Sequence, residues 1–387
     1  MDLSVITTYR CNSKCQMCYI WQNPTDPREE ITIDVLKKLP GGFDNVNITG
    51  GEPTLRKDLG EICDVLYPKA RTLEISSNGL HHERLIPIIK KYPNIKIRFS
   101  VEGIDEINNL IRGEVGGFQK KVQGLQELKN IGGTDLGFAI VIQDENVDQL
   151  MRIYELATSM RVELSTSTLH NGWQFHKNDN YHYDRKRSAK EVEKLITKML
   201  KTYSIKNWFR AYMNLGLIEK ILGHERLHPC VAGTGFIFLD PWSDVWACNV
   251  RKDLKVGNLN TETWEEIINS NKTAEAIAEV KICKQNCWMV TTARTAMRSS
   301  ILPQLPKWGP LGWVLRNKIR VSFLKKPIEF NNYVDYGQIL PNKITSKTSE
   351  VVSVDQIKRN SYLDVKMKKT IQHQSEPHYR HDEYFNR

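Results

Sequence analysis

Cysteine is the residue type whose spacing carries the most chemical information in this 387-residue chain. Seven of the eight cysteines form two groups, one of three near the N-terminus and one of four between residues 230 and 287. The eighth, Cys63, lies in a helical pattern and is expected to be a buried small apolar side chain. The N-terminal residues lack the features of a secretory signal, and thiols inside cells stay reduced. The grouping therefore favours metal or iron–sulfur binding over disulfides.

The first group consists of Cys11, Cys15 and Cys18, with the spacing C-x3-C-x2-C. Thiolates suit zinc ions and iron–sulfur clusters. A structural zinc site needs a fourth ligand, and the nearest histidines in sequence are His81 and His82. Three thiolates on a four-iron cluster leave one iron open to a small molecule with an amine and a carboxylate. A zinc site completed by a distant residue is the alternative.

Short apolar runs that alternate with helical patterns predict how these cysteines are positioned. The predicted strands are Leu3–Thr8, Val46–Ile48, Thr72–Ile75, Lys96–Val101, Phe138–Ile142 and Val162–Thr166. Strands joined by helices form a parallel sheet with right-handed crossovers, so the expected fold class is α/β, a partial (β/α)6 TIM-type barrel. The active site of such a barrel lies at the carboxyl ends of its strands.

Polar or glycine-rich segments follow the predicted strands at that end. The cysteine loop follows the first strand, Gly50-Gly51-Glu52-Pro53 follows the second, and Ser76–Gly79 follows the third. Ser100–Gly103 ends the fourth strand, and Leu169–Trp173 follows the sixth. Each segment alone is compatible with an ordinary loop. Their common placement predicts a single site.

The cysteine spacing after a first strand, followed by Gly-Gly-Glu-Pro after a second, resembles the radical S-adenosylmethionine superfamily. Ser77-Asn78-Gly79 and the stretch from Ser100 to Gly113 resemble further elements of it, so the resemblance covers about residues 3–170. It implies a [4Fe–4S] cluster on the three cysteines, whose open iron chelates the methionine end of S-adenosylmethionine. It also implies reductive cleavage of that molecule to a 5′-deoxyadenosyl radical, which abstracts a hydrogen atom from the substrate.

The same resemblance implies contacts with S-adenosylmethionine. The residues concerned are Gly50, Gly51, Glu52, Ser77, Asn78, Ser100, Arg112 and Met17. Gly50, Gly51 and Glu52 would bind the amino group. Ser77 and Asn78 would line the pocket, and Ser100 and Arg112 would contact the ribose or carboxylate. Met17 stands where the family often has an aromatic residue, and it would pack on the adenine. A tight turn is the alternative role for the glycines, and an ion pair is the alternative for the arginine.

The second group comprises Cys230, Cys248, Cys283 and Cys287, separated by 17, 34 and 3 residues. Two apolar runs joined by residues 241–244 predict a β-hairpin, and Thr263-x-x-Glu266 opens a helix with a capping-box pattern. With Gly257-Asn258-Leu259 between them, this order is similar to the twitch form of the SPASM domain, an auxiliary-cluster module. The likeness implies a second [4Fe–4S] cluster on four thiolates, which would accept an electron from the substrate. A four-cysteine zinc site is the alternative.

Composition and patterning predict how the chain is divided. We expect a barrel over residues 1–180, a helical connection over 181–228, a smaller auxiliary iron–sulfur domain of a hairpin plus a helix over 229–295, a basic amphipathic segment over 296–340 and a flexible tail over 341–387. The chain has 55 Lys and Arg against 45 Asp and Glu, and 40% of it is hydrophobic, as in ordinary globular proteins.

Charge and hydropathy limit the expected partners. The first 300 residues contain 40 basic and 37 acidic residues, so no nucleic-acid partner is expected. No apolar run reaches the ~20 residues of a membrane span, and a cytoplasmic protein is expected. Residues 307–326 carry six basic and no acidic residues among Trp and Leu. They predict peripheral contact with the inner face of an anionic membrane, or a helix packed across the barrel.

Substrate contacts are predicted from position alone. The candidates are His170, Asn171, Trp173 and His176 after the sixth strand, together with Glu102 and Arg210. Ordinary polar loop residues are the alternative, and no general base is assigned.

Three functions fit the sequence. The first is a radical enzyme that dehydrogenates or rearranges a small polar metabolite, such as one derived from a carbohydrate. The second is a peptide-modifying radical maturase, disfavoured here because the chain starts directly at the first strand. The third is a non-catalytic iron–sulfur or zinc scaffold, disfavoured by the glycine-rich loops. An electron donor such as flavodoxin or ferredoxin is an expected partner of either enzyme.

Overall fold

The computed structural model describes residues 1–299 and 309–329. The strands are β1 (Asp2–Ile6), β2 (Asn45–Thr49), β3 (Leu73–Ser77), β4 (Lys96–Ser100), β5 (Asp135–Ile142), β6 (Glu163–Thr168), β7 (Phe236–Leu239), β8 (Asp244–Trp246) and β9 (Lys255–Asn258). The helices are α1 (Ile33–Lys37), α2 (Leu59–Leu66), α3 (Ile86–Lys91), α4 (Glu106–Arg112), α5 (Gly117–Asn130), α6 (Leu150–Ser159), α7 (Arg185–Lys201), α8 (Ile205–Leu222), α9 (Trp264–Ile268), α10 (Asn271–Ile282), α11 (Val290–Ser299) and α12 (Pro310–Ser322). The expected tail at 341–387 lies outside the described residues, as do residues 300–308 and 330–340 of the basic segment.

All nine strands belong to one sheet, in the order β6-β5-β4-β3-β2-β1-β7-β8-β9. The first six are parallel, and β7 also pairs in parallel with β1, so that Asp2 lies opposite Phe236. Among these nine strands, β8 runs antiparallel to both of its neighbours, β7 and β9. The predicted α/β partial barrel and hairpin are therefore confirmed. The hairpin does not form a sheet of its own but extends the barrel sheet, within one compact unit.

Four strands, β2, β3, β5 and β6, extend further than their apolar residues predict. β3 continues through Ser76 and Ser77, and β6 reaches Thr168. Alternate residues of β6 are buried, including Thr166 and Thr168. The hydroxyl of Thr168 donates to the carbonyl of Ile142 at 3.1 Å, so burial leaves this group satisfied. At the ends of β3 and β6, hydroxyl side chains that form hydrogen bonds thus occupy positions where the prediction required apolar residues.

The helical connection consists of α7 and α8, which pack against each other beside β6. The apolar residues of α7 lie on one face of the helix, and Val192, Leu195 and Met199 are buried. Helix α12 packs on both helices through Trp313, which is fully buried. One face of the basic segment therefore packs against α7 and α8. No helix in residues 1–299 or 309–329 is long and apolar enough to cross a bilayer.

Close contact between α8 and Trp288 positions the last cysteine of the chain. The indole Nε1 of Trp288 donates to the carbonyl of Met213 at 2.7 Å, and the ring lies over Gly216. A Cβ atom on Gly216 would come within 1.9 Å of the ring. Because Trp288 directly follows Cys287, the absence of a side chain at Gly216 fixes where that thiol lies.

Gly216→Ala is expected to lower the free energy of unfolding by about 1–3 kcal/mol, because the added methyl group overlaps Trp288. Gly60→Ala is the matched control, since Gly60 also lies in a helix and an added Cβ meets no atom within 4 Å. That change should be neutral or stabilising by up to about 1 kcal/mol. Denaturant unfolding of both variants measures the difference, and equal effects would contradict the packing argument.

Candidate active site

The cysteine loop, residues 11–18, follows β1 and is fixed by its backbone to the end of α4. The amide of Lys14 donates to the carbonyl of Arg112, and the amide of Gln16 donates to that of Ile111, both at 2.9 Å. These bonds use carbonyl groups that a helix leaves unpaired at its C-terminus. The loop is thus held by backbone contacts, and its three cysteines are half-buried and form no disulfide.

The three thiols of this loop are close neighbours. Burial above all, with a contribution from the charge of Cys15, raises the pKa of both Cys11 and Cys18 to about 12. Burial also raises the pKa of Cys15, and the positive charge of Arg112 opposes that effect. Three thiols close together on one short loop form a soft donor set that fits an iron–sulfur cluster with one open iron.

The loop after β2 approaches the end of β1 so closely that two of its residues have no room for a side chain. A Cβ atom would lie 2.5 Å from the carbonyl oxygen of Thr8 at Gly50, and 2.3 Å from that of Arg10 at Gly51. The amide of Gly51 donates to the carbonyl of Thr8 at 2.7 Å, and the amide of Glu52 donates to the carbonyl of Arg10 at 2.8 Å. The glycines therefore hold this loop directly against the start of the cysteine loop.

The side chain of Glu52 is fully buried and ties the loop after β2 to the loop after β3. One carboxylate oxygen accepts from the hydroxyls of Thr54 at 2.6 Å and Ser77 at 2.8 Å. The other accepts from the amide of Asn78 at 2.6 Å. The carboxylate therefore joins the two loops through both of its oxygens.

Asn78 extends these contacts to the cysteine loop. Its side-chain amide donates to Asn12 at 2.6 Å and to Ser13 at 2.8 Å. The hydroxyl of Ser13 in turn donates to Glu114 at 2.5 Å. The structure therefore brings together the predicted cofactor residues of the first three loops. Ser100 is half-buried at the end of β4, and Met17 is half-buried in the cysteine loop itself.

Arg112 lies at the centre of a buried network of charges. Its guanidinium pairs with Glu102 and with Glu114, both at 3.1 Å, and Lys121 pairs with Glu114 at 2.5 Å. Lys121 has no exposed surface, and the glutamates are almost as buried. Glu102 also accepts from the amide of Val141 at 2.8 Å. In the structure the guanidinium makes ion pairs, and Glu102 bonds to Arg112 and to the backbone of Val141.

Sequence reasoning missed Ser13, Glu114 and Lys121 in this network. One signal was present. The buried residues of α5 include Phe118, Lys121 and Leu125, at spacings of three and four. A lysine within the apolar stripe of a helix indicates a buried charge that needs a partner. Ser13 and Glu114 showed no comparable signal.

The loop after β6, residues 169–181, connects the cysteine loop to the hairpin. At one end, Asn180 donates to the carbonyl of Met17 at 3.0 Å, and Phe175 accepts from the amide of Tyr19 at 2.8 Å. At the other end, the ring of Trp173 lies 4.5 Å from that of Trp246. This loop therefore contacts both the cysteine loop and the hairpin beside the second cysteine group.

The predicted substrate residues of this loop differ in what they contact. Asn171 bonds to the backbone of Asn180, and the ring of His176 lies edge-on to Tyr9 at 5.9 Å. His170 is different, because its Nδ1 lies 3.3 Å from the ammonium of Lys220 while its buried Nε2 has no partner in the described part of the chain.

Arg210 does not lie at the site. It pairs with Glu163 at the start of β6, which is the end of the sheet opposite the cysteine loop. The expectation that Arg210 contacts a substrate is therefore wrong.

The second cysteine group surrounds the end of the hairpin. Burial raises the pKa of Cys287 to about 12, and the charges of Cys248, Cys230 and Cys283 each add to the effect, so the four thiols are neighbours. Arg226 holds the last loop by donating to the carbonyls of Cys283 and, at 3.1 Å, Gln285. Four thiols fit a fully ligated cluster. Within residues 1–299 and 309–329, no three His, Cys, Asp or Glu side chains are arranged to hold a single metal ion.

Comparison with known proteins gives two family matches, one on each cysteine group. Residues 5–157 match the radical SAM superfamily, and residues 230–288 match SPASM, an iron–sulfur cluster-binding domain. Both matches agree with the resemblance inferred from the motifs.

Named relatives span part of the chain. Mycofactocin maturase MftC of Mycolicibacterium smegmatis is 30% identical over 253 residues, which are 62% of this chain and 62% of the relative. Fe-coproporphyrin III synthase of Methanosarcina barkeri is 29% identical over 163 residues, 40% of each chain. The chain therefore spans less than two thirds of the length of these relatives.

Among solved structures, native anSMEcpe with bound AdoMet superposes with a TM-score of 0.57 at 17% identity, covering 84% of this chain and 97% of that one. At this identity, the likeness establishes the shared fold. The two family matches show that residues 5–157 belong to the radical SAM superfamily and that residues 230–288 form a C-terminal SPASM iron–sulfur domain.

Proposed function

We propose that this chain is a radical S-adenosylmethionine enzyme that modifies a peptide. The observation that carries the proposal is its 30% identity over 253 residues to a protein named a maturase. The fold accommodates such a substrate, since anSMEcpe has been solved with a bound peptide. Both points favour the second of the three functions considered from sequence over the first. A small-molecule substrate is the second candidate, because Fe-coproporphyrin III synthase is also a relative.

The cofactors follow from the two donor sets. Cys11, Cys15 and Cys18 would hold the [4Fe–4S] cluster, and the four cysteines of the SPASM domain would hold one auxiliary [4Fe–4S] cluster. When bound, the first cluster supplies the electron that cleaves S-adenosylmethionine and so generates the radical that takes a hydrogen atom from the substrate. The role of the chain is to hold these groups in a fixed relation and to exclude water.

Loops at the ends of the first three strands would bind S-adenosylmethionine. The backbone around Gly50 and Gly51 lies against the cysteine loop, and Ser77 and Asn78 join it from the next strand. Arg112 keeps its guanidinium near Cys15, where positive charge favours the thiolate form. Flavodoxin or ferredoxin is the class of electron donor that we propose.

His170 and Lys220 would recognise the substrate. As an ammonium, Lys220 only donates, so Nδ1 of His170 accepts from it and Nε2 carries the ring proton. Nε2 is thus a buried donor without a partner among the described residues. Lys220 lies near Cys287, which places the pair between the barrel and the auxiliary cysteines. We propose that Nε2 donates to a carbonyl or carboxylate oxygen of the substrate.

Deuterium transfer identifies the substrate class. The reconstituted enzyme is incubated with S-adenosylmethionine, dithionite and an extract of deuterated cells of the source organism, and 5′-deoxyadenosine is analysed by mass spectrometry. A peptide substrate should yield deuterated product that disappears when the extract is first digested with protease and the protease removed. Deuterium that survives digestion and passes a low-mass filter would identify a small metabolite instead. Absence of any 5′-deoxyadenosine would indicate a scaffold.

Cys11→Ala is expected to abolish formation of 5′-deoxyadenosine and to lower the iron content from about eight to about four atoms per chain, because it removes a ligand of the first cluster. Cys63→Ala is the matched control, since Cys63 is fully buried in α2 away from both groups. It should keep iron and activity. A sample that binds zinc in both groups, or an equal loss in the control, would contradict the assignment.

His170→Phe is expected to raise KM for the substrate by about 10- to 100-fold, because an oxygen of the substrate loses its donor. Cleavage of S-adenosylmethionine without substrate should be unchanged. His170→Gln restores an N–H donor and should recover part of the loss, which a purely structural role would not predict. His81→Phe, at a half-exposed position beside Glu83, is the control.

A further inference from the structure

Helix α12 has apolar residues on two opposite faces. Trp313, Val314 and Val321 are at most 4% exposed and pack against α7 and α8. Leu315 and Ile319, four residues apart, are nevertheless 49% and 52% exposed. A helix on the surface of a globular protein normally has one apolar stripe and is polar elsewhere. Packing on the barrel therefore accounts for only one of the two faces.

The exposed stripe continues beyond the helix and onto the neighbouring turn between α7 and α8. Lys318 joins the two segments by donating to the carbonyl of Thr202 at 2.8 Å, and its ammonium lies 5.5 Å from the ring centre of Tyr203. We define the α12 patch as the exposed apolar residues of both segments. They are Tyr203, Ile205, Leu315, Ile319, Phe323 and Leu324.

This patch contains most of the large apolar side chains that the described structure exposes. Six of the eleven such residues within 1–299 and 309–329 belong to it, with Tyr203 at 97% and Phe323 at 74% exposure. Single exposed apolar residues are normal on a protein surface, but a concentration of this kind marks an interaction site.

The charge of the same two segments has one sign. Residues 198–208 contain three Lys and residues 309–326 contain five Lys and Arg, and neither segment contains an Asp or Glu. Two of these eight have an acidic partner outside the segments, since Lys206 pairs with Glu163 and Arg316 with Glu329, which leaves six basic residues unbalanced by such a pair within the described part of the chain. Long basic side chains beside exposed Leu, Ile and Phe are the features of a surface that enters the headgroup region of an anionic bilayer. Each basic residue adds attraction to the negative surface potential of such a membrane.

We propose that the α12 patch is a docking surface for an anionic phospholipid membrane, which the protein binds peripherally. A second copy of the chain is a poorer partner, because symmetric pairing would bring two basic surfaces together. Residues 330–387 supply no complementary charge either, since they contain nine basic and seven acidic residues. The proposal is independent of the identity of the substrate.

Vesicle binding tests this proposal with the full, reconstituted chain. Sedimentation with vesicles of phosphatidylcholine containing about 30 mol % phosphatidylglycerol measures the partition coefficient at low and high salt. We expect binding to these vesicles at low salt and weak binding to pure phosphatidylcholine. The double change Ile319→Ser with Phe323→Ser should lower the partition coefficient by about tenfold or more. Lys325→Ala with Lys326→Ala should lower it similarly and weaken its salt dependence.

Val115→Ser is the matched control, since Val115 is 97% exposed but lies outside the patch, between α4 and α5. It should bind as the parent does, and thermal unfolding should show that all variants stay folded. Failure of the parent to bind anionic vesicles at low salt would overturn the proposal. So would equal binding by the Ile319→Ser and Phe323→Ser variant. A change of oligomeric state in that variant, without vesicle binding by the parent, would instead assign the patch to a second copy.

Discussion

The buried ion pairs of Arg112 and the backbone bonds between the end of α4 and the cysteine loop together position that loop, and the rest of the candidate site depends on them. Two cations, Arg112 and Lys121, face two carboxylates, Glu102 and Glu114, with almost no exposure to solvent. Removing one partner from such a set leaves an uncompensated buried charge, which costs about 3–5 kcal/mol. Because Ser13 bonds to Glu114, the same network holds the backbone that carries the three thiols.

One sheet relates the two cysteine groups. The pairing of β7 with β1 places the hairpin directly beside the strand that leads into the cysteine loop. Trp173 packs on the hairpin while Asn180 bonds to Met17, so the loop after β6 contacts both groups. A shared sheet resists relative motion far better than a flexible linker would, because sliding it breaks a whole ladder of hydrogen bonds. This rigidity suits chemistry in which a reactive group must meet one chosen bond.

The sequence predicts those parts of the site in which a residue type has few alternative roles. Clustered cysteines and paired glycines at strand ends are of this kind, and Gly51 does lack space for a Cβ atom. Arg112 illustrates the limit, because an arginine in a motif can bind a cofactor or balance a buried carboxylate, and only three-dimensional proximity to Glu102 and Glu114 decides. The prediction for Arg210 failed for the same reason, since the sequence does not show at which end of the sheet the side chain of a helical residue lies.

The basic segment shows why a periodic pattern can support two predictions at once. Its apolar residues predicted either a packed helix or a membrane surface, and these were treated as alternatives. In the structure, Trp313 and Val321 occupy one side of α12, and Leu315 and Ile319 the other. A single hydropathy pattern cannot separate two stripes on one helix, because both contribute to the same apolar content. Burial separates them. The side that packs stabilises the fold, and the side that stays exposed beside five basic residues is available for a partner.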